Sequence, residues 1–493
     1  MKSGKLRLLA LLPVLASLIY CISISFRRKT QRRLCLCRAR MQFCACMSEI
    51  YFEYSVFEFL DLKKKIFLEY DLSYRTRCSL IEYRHYWIAS KRIVTPSGII
   101  SGAVEVKGGK IKSVVEGDDW RANTWSKQVI DYGEAVIMPG LIDVHAHLDD
   151  PGRTEWEGFP SGTRAAAAGG ITTLIDMPLN SFPSTVSEET LKLKIIDLIV
   201  AYSNLVHSIS AHEFRQKLLK EDFCDVGFWG GLVPENAFNA TSLERLLEAG
   251  ALGLKVHSNL IVTTNIRKFT FLMRLQPKMF DQKAEDDIAG NPRSYSTYLK
   301  SRPASWEEAA IKELLTVTKD TRPGGSSEGA HLHIVHLADA RSSLQLIKEA
   351  KSSGDRITVE TCPHYLAFSA EEIPDGDTRF KCAPPIRDAD NKEKLWTALM
   401  GAIVTGNHAD IVVWEPEVEF ELDDNHPVFL KHPNISAYMG SKLFGKVLAT
   451  FVRGNLVYQE GGKHAPCCLW CPNLGHMKVF IRWLNRWFSS CWE

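Results

Sequence analysis

From residue 89 onward, short runs of β-branched and apolar residues alternate with glycine-bearing or charged turns. Residues 92–95, 103–106, 110–115 and 128–131 read as strands of a small antiparallel sheet. A second set of the same texture comes late, at residues 411–414, 418–421 and 447–452. The turn Arg453-Gly454-Asn455 and residues 456–458 complete it. Sets that flank everything else in sequence are expected to pair into one small β-sandwich built from both ends. Between them the period changes. Apolar strand candidates at 135–138, 171–176, 226–229, 332–336 and 357–361 are separated by helical stretches at 162–168, 242–249, 306–316 and 341–351. Strand–helix alternation predicts parallel strands with right-handed crossovers. The expected fold class is therefore α/β, a β/α (TIM-like) barrel whose chemistry stands at the C-terminal ends of its strands.

This pattern divides the chain into five segments. Residues 1–85 form a targeting or anchor segment with irregular sequence, 86–138 the first sandwich part, 139–400 the barrel, 401–462 the second sandwich part, and 463–493 a divergent tail. Residues 8–26 carry no charge, with Lys2, Lys5 and Arg7 before them and Arg27, Arg28 and Lys29 after. A run of that length approaches the ~20 residues that span a bilayer core. It predicts entry into the secretory pathway at the endoplasmic reticulum, with membrane association through 8–26. A buried helix in a cytoplasmic protein is the alternative.

Composition narrows the picture a little. The formal net charge of +2 leaves no basic excess for nucleic acid and fits a small neutral substrate. Of thirteen cysteines, most lie near the two ends, which is not the spacing of a disulfide framework. Cys468-x-x-Cys471 between His464 and His476 is a weak zinc-knuckle signal, because no second spaced pair accompanies it.

The strongest chemical signal is Pro139-Gly140-Leu141-Ile142-Asp143-Val144-His145-Ala146-His147. Histidines at i and i+2 of a strand share a face, so both imidazoles can reach one metal ion. Asp143 is placed to orient an imidazole or to hold the loop. In Ala330-His331-Leu332-His333-Ile334-Val335-His336, the last histidine falls at the strand's C-terminal end and is the candidate ligand; His331 and His333 read as structural. His364 reads as a packed histidine at the end of the next strand. Lys255 ends the run Leu252-Gly253-Leu254, where a lysine is ordinarily solvated or paired.

These motifs resemble the amidohydrolases. Asp150-Pro151-Gly152-Arg153-Thr154-Glu155-Trp156-Glu157-Gly158-Phe159, Asp176-Met177-Pro178-Leu179-Asn180-Ser181 and Lys381-Cys382-Ala383-Pro384-Pro385-Ile386-Arg387 are similar to allantoinases in particular, nearest to the plant form. The likeness runs, with gaps, from about residue 86 to 462. It implies two divalent metal ions, zinc by expectation. His145 and His147 would hold one ion, an N-carboxylated Lys255 would bridge, and His336 would help hold the second. Metal-bound hydroxide would open the hydantoin ring of allantoin to give allantoate. Arg153 and Asn180 would touch the substrate, and a homo-oligomer is expected. Hydantoinases and dihydropyrimidinases share the metal site but not the run around Arg153. Dihydroorotases carry an arginine where this chain has Asp149.

The sequence also departs from that family. The segment bearing the family's metal-bound aspartate, the general acid/base, is absent: residues 395–400 run directly into 401–406. Residues 256–282 replace a loop and a ligand-bearing strand with unrelated basic and apolar text. His257 lies too close to Lys255 to stand in for the missing ligand. The barrel is thus expected to be incomplete. Two readings follow: an allantoinase, or a catalytically impaired amidohydrolase-like protein that acts through binding or assembly.

Overall fold

A computed structural model describes residues 79–122, 128–200, 223–256, 270–273, 290–325, 328–399, 401–423 and 429–465. The expected anchor at 8–26, His257, and Cys468 and Cys471 lie outside the described residues. Among the described residues, no helix is long and apolar enough to cross a membrane.

The two flanking β sets are hydrogen-bonded into one sheet. Its first part comprises β1 (His85–Thr95), β2 (Gly98–Lys107), β3 (Lys110–Glu116), β4 (Gln128–Asp131) and β5 (Val136–Pro139). After the barrel strands β6–β13 come β14 (Ile411–Glu421), β15 (Lys442–Val452), β16 (Asn455–Gln459) and β17 (Lys463–His464). The strand order is β17-β16-β15-β14-β5-β1-β2-β3, with β4 beside β1. The splice is β5. It pairs parallel with β1 at Arg92↔Val136 and antiparallel with β14 at Ile411↔Pro139.

That splice decides between two readings of one run. Residues 135–138 have the texture of the barrel strand candidates but fall in the 86–138 segment assigned to the first sandwich part, and Val136–Pro139 belongs to this outer sheet. Val136 and Ile137 are both buried, so no alternation marked which sheet the run joins. The core there packs Ile88, Ile93 and Val104 from one end of the chain against Ile411, Val413 and Phe451 from the other. At ~25 cal/mol per Å² of apolar surface removed from water, each such side chain contributes about 1.5–3 kcal/mol. The buried Tyr86 hydroxyl donates to the Gly454 carbonyl at 2.6 Å and adds a polar tie across the same junction.

The barrel strands are β6 (Leu141–Ala146), β7 (Ile171–Asp176), β8 (Asp225–Phe228), β9 (Gly230–Leu232), β10 (Leu254–Val256), β11 (Thr270–Met273), β12 (His331–Ile334) and β13 (Ile357–Val359). All their pairings are parallel, in the orders β6-β7-β8 and β13-β12-β11-β10-β9. Only Trp229 separates β8 from β9, so they are one strand that changes partner midway. β11 arises from the stretch that looks foreign to the family, and fills the place between β10 and β12. Among the described residues, nothing pairs with the outer edge of β6 or of β13. Leu141 and Ile142 on β6 are 46% and 64% exposed.

Helices cover these strands. Phe159–Ala168 starts with Pro160 in its first turn, where a missing N–H costs nothing. Ala240–Glu248 is capped by Asn239, whose side chain accepts from the Ser242 N–H. Leu243 and Leu246 of that helix pack on Phe228 and Leu254. Ala304–Thr318 and Ser343–Ser352 cover β12 and β13 through Ile311, Leu314 and Ile347. The outer sheet is joined to this layer by the Thr450 hydroxyl, which donates to the Ala167 carbonyl at 2.7 Å, and by the Arg453–Asp225 ion pair.

The tie across the splice makes a direct prediction. Tyr86→Phe leaves the buried Gly454 carbonyl without its donor and is expected to cost about 1–2 kcal/mol. Chemical denaturation of the two proteins checks it, with unchanged midpoints as the contrary result.

Candidate active site

The β6 strand ends on Val144-His145-Ala146 and delivers His147 into the following loop. Its geometry is fixed from several sides. The Asp143 carboxylate accepts the His145 backbone N–H at 2.9 Å, and the Trp229 indole donates to the Val144 carbonyl at 2.8 Å. Asp143 therefore holds the main chain and not an imidazole.

The sequence-derived candidates converge. The His145 ring lies 5.4 Å from that of His147 and 5.6 Å from that of His336, centroid to centroid. Lys255 Nζ stands 3.4 Å from His145 Nε2. Lys255 and His336 are buried. His336 adopts φ +43°, a left-handed conformation that is costly for a residue with a side chain and recurs at functional sites. The buried Glu307 secures the segment just beyond it: its two carboxylate oxygens accept the N–H groups of Ala338 and Asp339 at 2.8 and 3.0 Å. Burial pushes the Glu307 carboxyl up to about 7 despite those bonds. His147, at the open side of the cluster, is pushed down to about 4 by desolvation, then by the charges of Lys255, His145 and Lys194. Its imidazole is neutral near pH 7, the form that can donate a lone pair.

Sequence reasoning missed Glu360, the residue that links these parts. It sits one position beyond β13, where its Oε1 accepts hydrogen bonds from His145 Nδ1 at 2.7 Å and from the His336 backbone N–H at 3.1 Å. His333 Nε2 bonds its other oxygen at 3.1 Å. Burial alone would raise this carboxyl, but the bonds from His145 and His333 prevail and hold it at about 2. The available signal was an acidic residue closing an apolar β run at the catalytic end of the barrel.

The remaining histidines are occupied elsewhere. His331 and His333 both bond the Thr358 hydroxyl, at 2.8 and 2.7 Å. His364 packs on the Tyr365 ring, and burial pushes it down to about 4. Arg153 donates to the Asn180 main-chain carbonyl at 2.9 Å and stacks over Trp156, so it ties the 150s loop to the segment after β7. Behind them Lys194 and Asp176 form a fully buried ion pair. Asp176 also accepts the Leu148 N–H at 2.7 Å, which fixes the backbone just past His147.

Three imidazoles around one space are donor chemistry for a divalent cation, and a neutral His147 suits that role. Lysine as such does not, because its positive charge opposes a cation. Among the described residues, no group of three His, Cys, Asp or Glu side chains stands at metal-holding spacing. The imidazoles are therefore suitable donor chemistry, with Lys255 the member whose charge decides whether a cation is accepted beside His145.

The family described as "Allantoinase, composite domain" matches residues 81–135, and the one described as "Amidohydrolase family" matches 136–233. The allantoinase of Arabidopsis thaliana is 53% identical over 480 residues, covering 79% of this chain and 91% of that protein. The chain belongs to the allantoinase family. The Streptomyces avermitilis allantoinase is 33% identical over 464 residues, 76% of this chain and 95% of its own length. Among solved structures, the L-hydantoinase (dihydropyrimidinase) of Arthrobacter aurescens aligns with a TM-score of 0.56 at 20% identity, covering 77% of this chain and 97% of that one. Family membership and this structural likeness place the catalytic region in the TIM-barrel hydrolase class of amidohydrolases.

Two variants test the scaffold. Lys194→Met strands the Asp176 carboxylate without its partner and should cost about 3–5 kcal/mol, seen as a large drop in the unfolding midpoint. Glu307 has the opposite sign from an ordinary ion pair. With its pKa raised on folding, its contribution is full below about pH 4.5 and is lost as pH rises through about 7. Glu307→Gln should remove about 3 kcal/mol of that pH dependence. Identical stability-versus-pH curves would contradict it.

Proposed function

We propose that this chain hydrolyses the hydantoin-ring amide of allantoin to give allantoate, within purine (ureide) catabolism. The observation that carries this reading is the convergence of His145, His147, Lys255 and His336 at the C-terminal ends of three parallel strands, in a chain of the allantoinase family. Zinc is the proposed metal, in a two-ion centre with Lys255 N-carboxylated. Carbon dioxide on the lysine nitrogen would replace a positive charge with a bridging anion and remove the repulsion between the lysine and a cation. The bound ions would act as Lewis acids that polarise the ring carbonyl.

The protein's own residues supply the rest. His145, held by Glu360, and the neutral His147 offer lone pairs from one strand. Arg153, braced by the Asn180 carbonyl and Trp156, would offer its guanidinium to an allantoin carbonyl. In this reading the barrel lacks its last strands, between β13 and β6, and the sheet from both ends of the region is the β-sandwich of the family. The family's proton-shuttling aspartate has no counterpart in the sequence. Turnover is therefore expected at about 10²–10⁴-fold below that of a site with its general acid/base. Entry into the secretory pathway through residues 8–26, and a homo-oligomeric state, belong to the same proposal.

The test is allantoate formation by the purified chain with zinc and bicarbonate. Slow, zinc-dependent ring opening that disappears in His145→Ala is expected. Zinc-independent turnover, or turnover unchanged in that variant, would sink the proposal.

A further inference from the structure

Resting on the proposed metal site, we propose that Glu360 is a positioning residue that sets which nitrogen of His145 faces the Lys255 side of the cluster. A carboxylate can only accept, so its 2.7 Å bond to His145 Nδ1 requires the proton of the neutral imidazole to sit on Nδ1. Nε2 then keeps its lone pair, and Nε2 is the atom found 3.4 Å from Lys255 Nζ. The same carboxylate accepts the His336 backbone N–H at 3.1 Å and so supports the left-handed turn that brings that imidazole in. A third contact, to His333 Nε2, uses its other oxygen. His333 is itself held by Thr358 through Nδ1, and the carboxylate cannot swing away without breaking that chain.

One half-buried carboxylate thus contacts two candidate ligands, one through its ring and one through its backbone. A purely structural tie between these strand ends exists next door: the Thr361 hydroxyl donates to the Leu337 carbonyl at 2.8 Å and does not touch His145. It provides the control. Partners of this kind, beyond the ligands themselves, typically change metal affinity by about 10–100-fold.

The experiment measures zinc affinity by chelator competition in the full chain, for wild type, Glu360→Gln and Thr361→Val. Thermal unfolding is recorded alongside. Glu360→Gln keeps the shape but loses the purely accepting character, and should weaken zinc binding about 10–100-fold. Thr361→Val should lower the unfolding midpoint and leave zinc affinity unchanged. A second readout needs no metal: in nitrogen-15 spectra of the histidine rings, wild-type His145 should show the Nδ1-protonated tautomer, and Glu360→Gln a mixture of both. Equal zinc affinity in wild type and Glu360→Gln, or equal weakening in both variants, overturns the proposal. So does a wild-type chain that takes up no zinc, which overturns the metal reading with it. Tight zinc binding that falls in Glu360→Gln, in a chain that does not open allantoin, supports the positioning role and overturns only the proposed function.

Discussion

The hydrogen bond from His145 to Glu360 is the interaction on which the rest of the site depends. It joins the first barrel strand to the residue after β13, and among the described residues no backbone ladder connects them. A side-chain carboxylate thus ties the end of β6 directly to the residue after β13. The energetics favour such a link. A charge-assisted bond in a water-poor setting is worth more than a neutral one, and three donors share the desolvation cost of one carboxylate.

Around this centre the scaffold is layered in stiffness. Behind His147 the buried Lys194–Asp176 pair fixes the loop backbone, and behind His336 the Glu307 carboxylate gathers two N–H groups of the next turn. Both are buried carboxylates placed just outside the candidate ligands, and each acts on main chain, which cannot change rotamer. The outer sheet contributes from a distance: its β5 splice runs straight into Pro139-Gly140 and then β6, so the packing of Ile137 against Ile411 and Val413 sets where the His145 strand begins.

Much of this was legible in the sequence, for identifiable reasons. The strand at Ile171–Asp176 and the helix at Ala240–Glu248 were readable because their apolar periods are unbroken. His145, His147 and His336 were readable as candidates because each is a ligand-type residue at the end of an apolar run, whereas Lys255 became a candidate only through the likeness to the amidohydrolases. Two features were not. The β11 strand lies in text with no family likeness, and its place is set by the gap between β10 and β12. Glu360 was hidden because a lone glutamate after a strand looks like a solvated end; only the fold shows three donors converging on it.

The central claim is that His145, His147, Lys255 and His336 enclose a cation site organised by Glu360. Anomalous diffraction at the zinc edge, from crystals of the full chain grown with zinc and bicarbonate, tests it most directly. The expected result is an anomalous peak bounded by His145 Nε2, His147 and the Lys255 side chain, with Glu360 still bonded to His145 Nδ1. Zinc found only elsewhere, or a peak at the cluster with Glu360 turned away from His145, would contradict it.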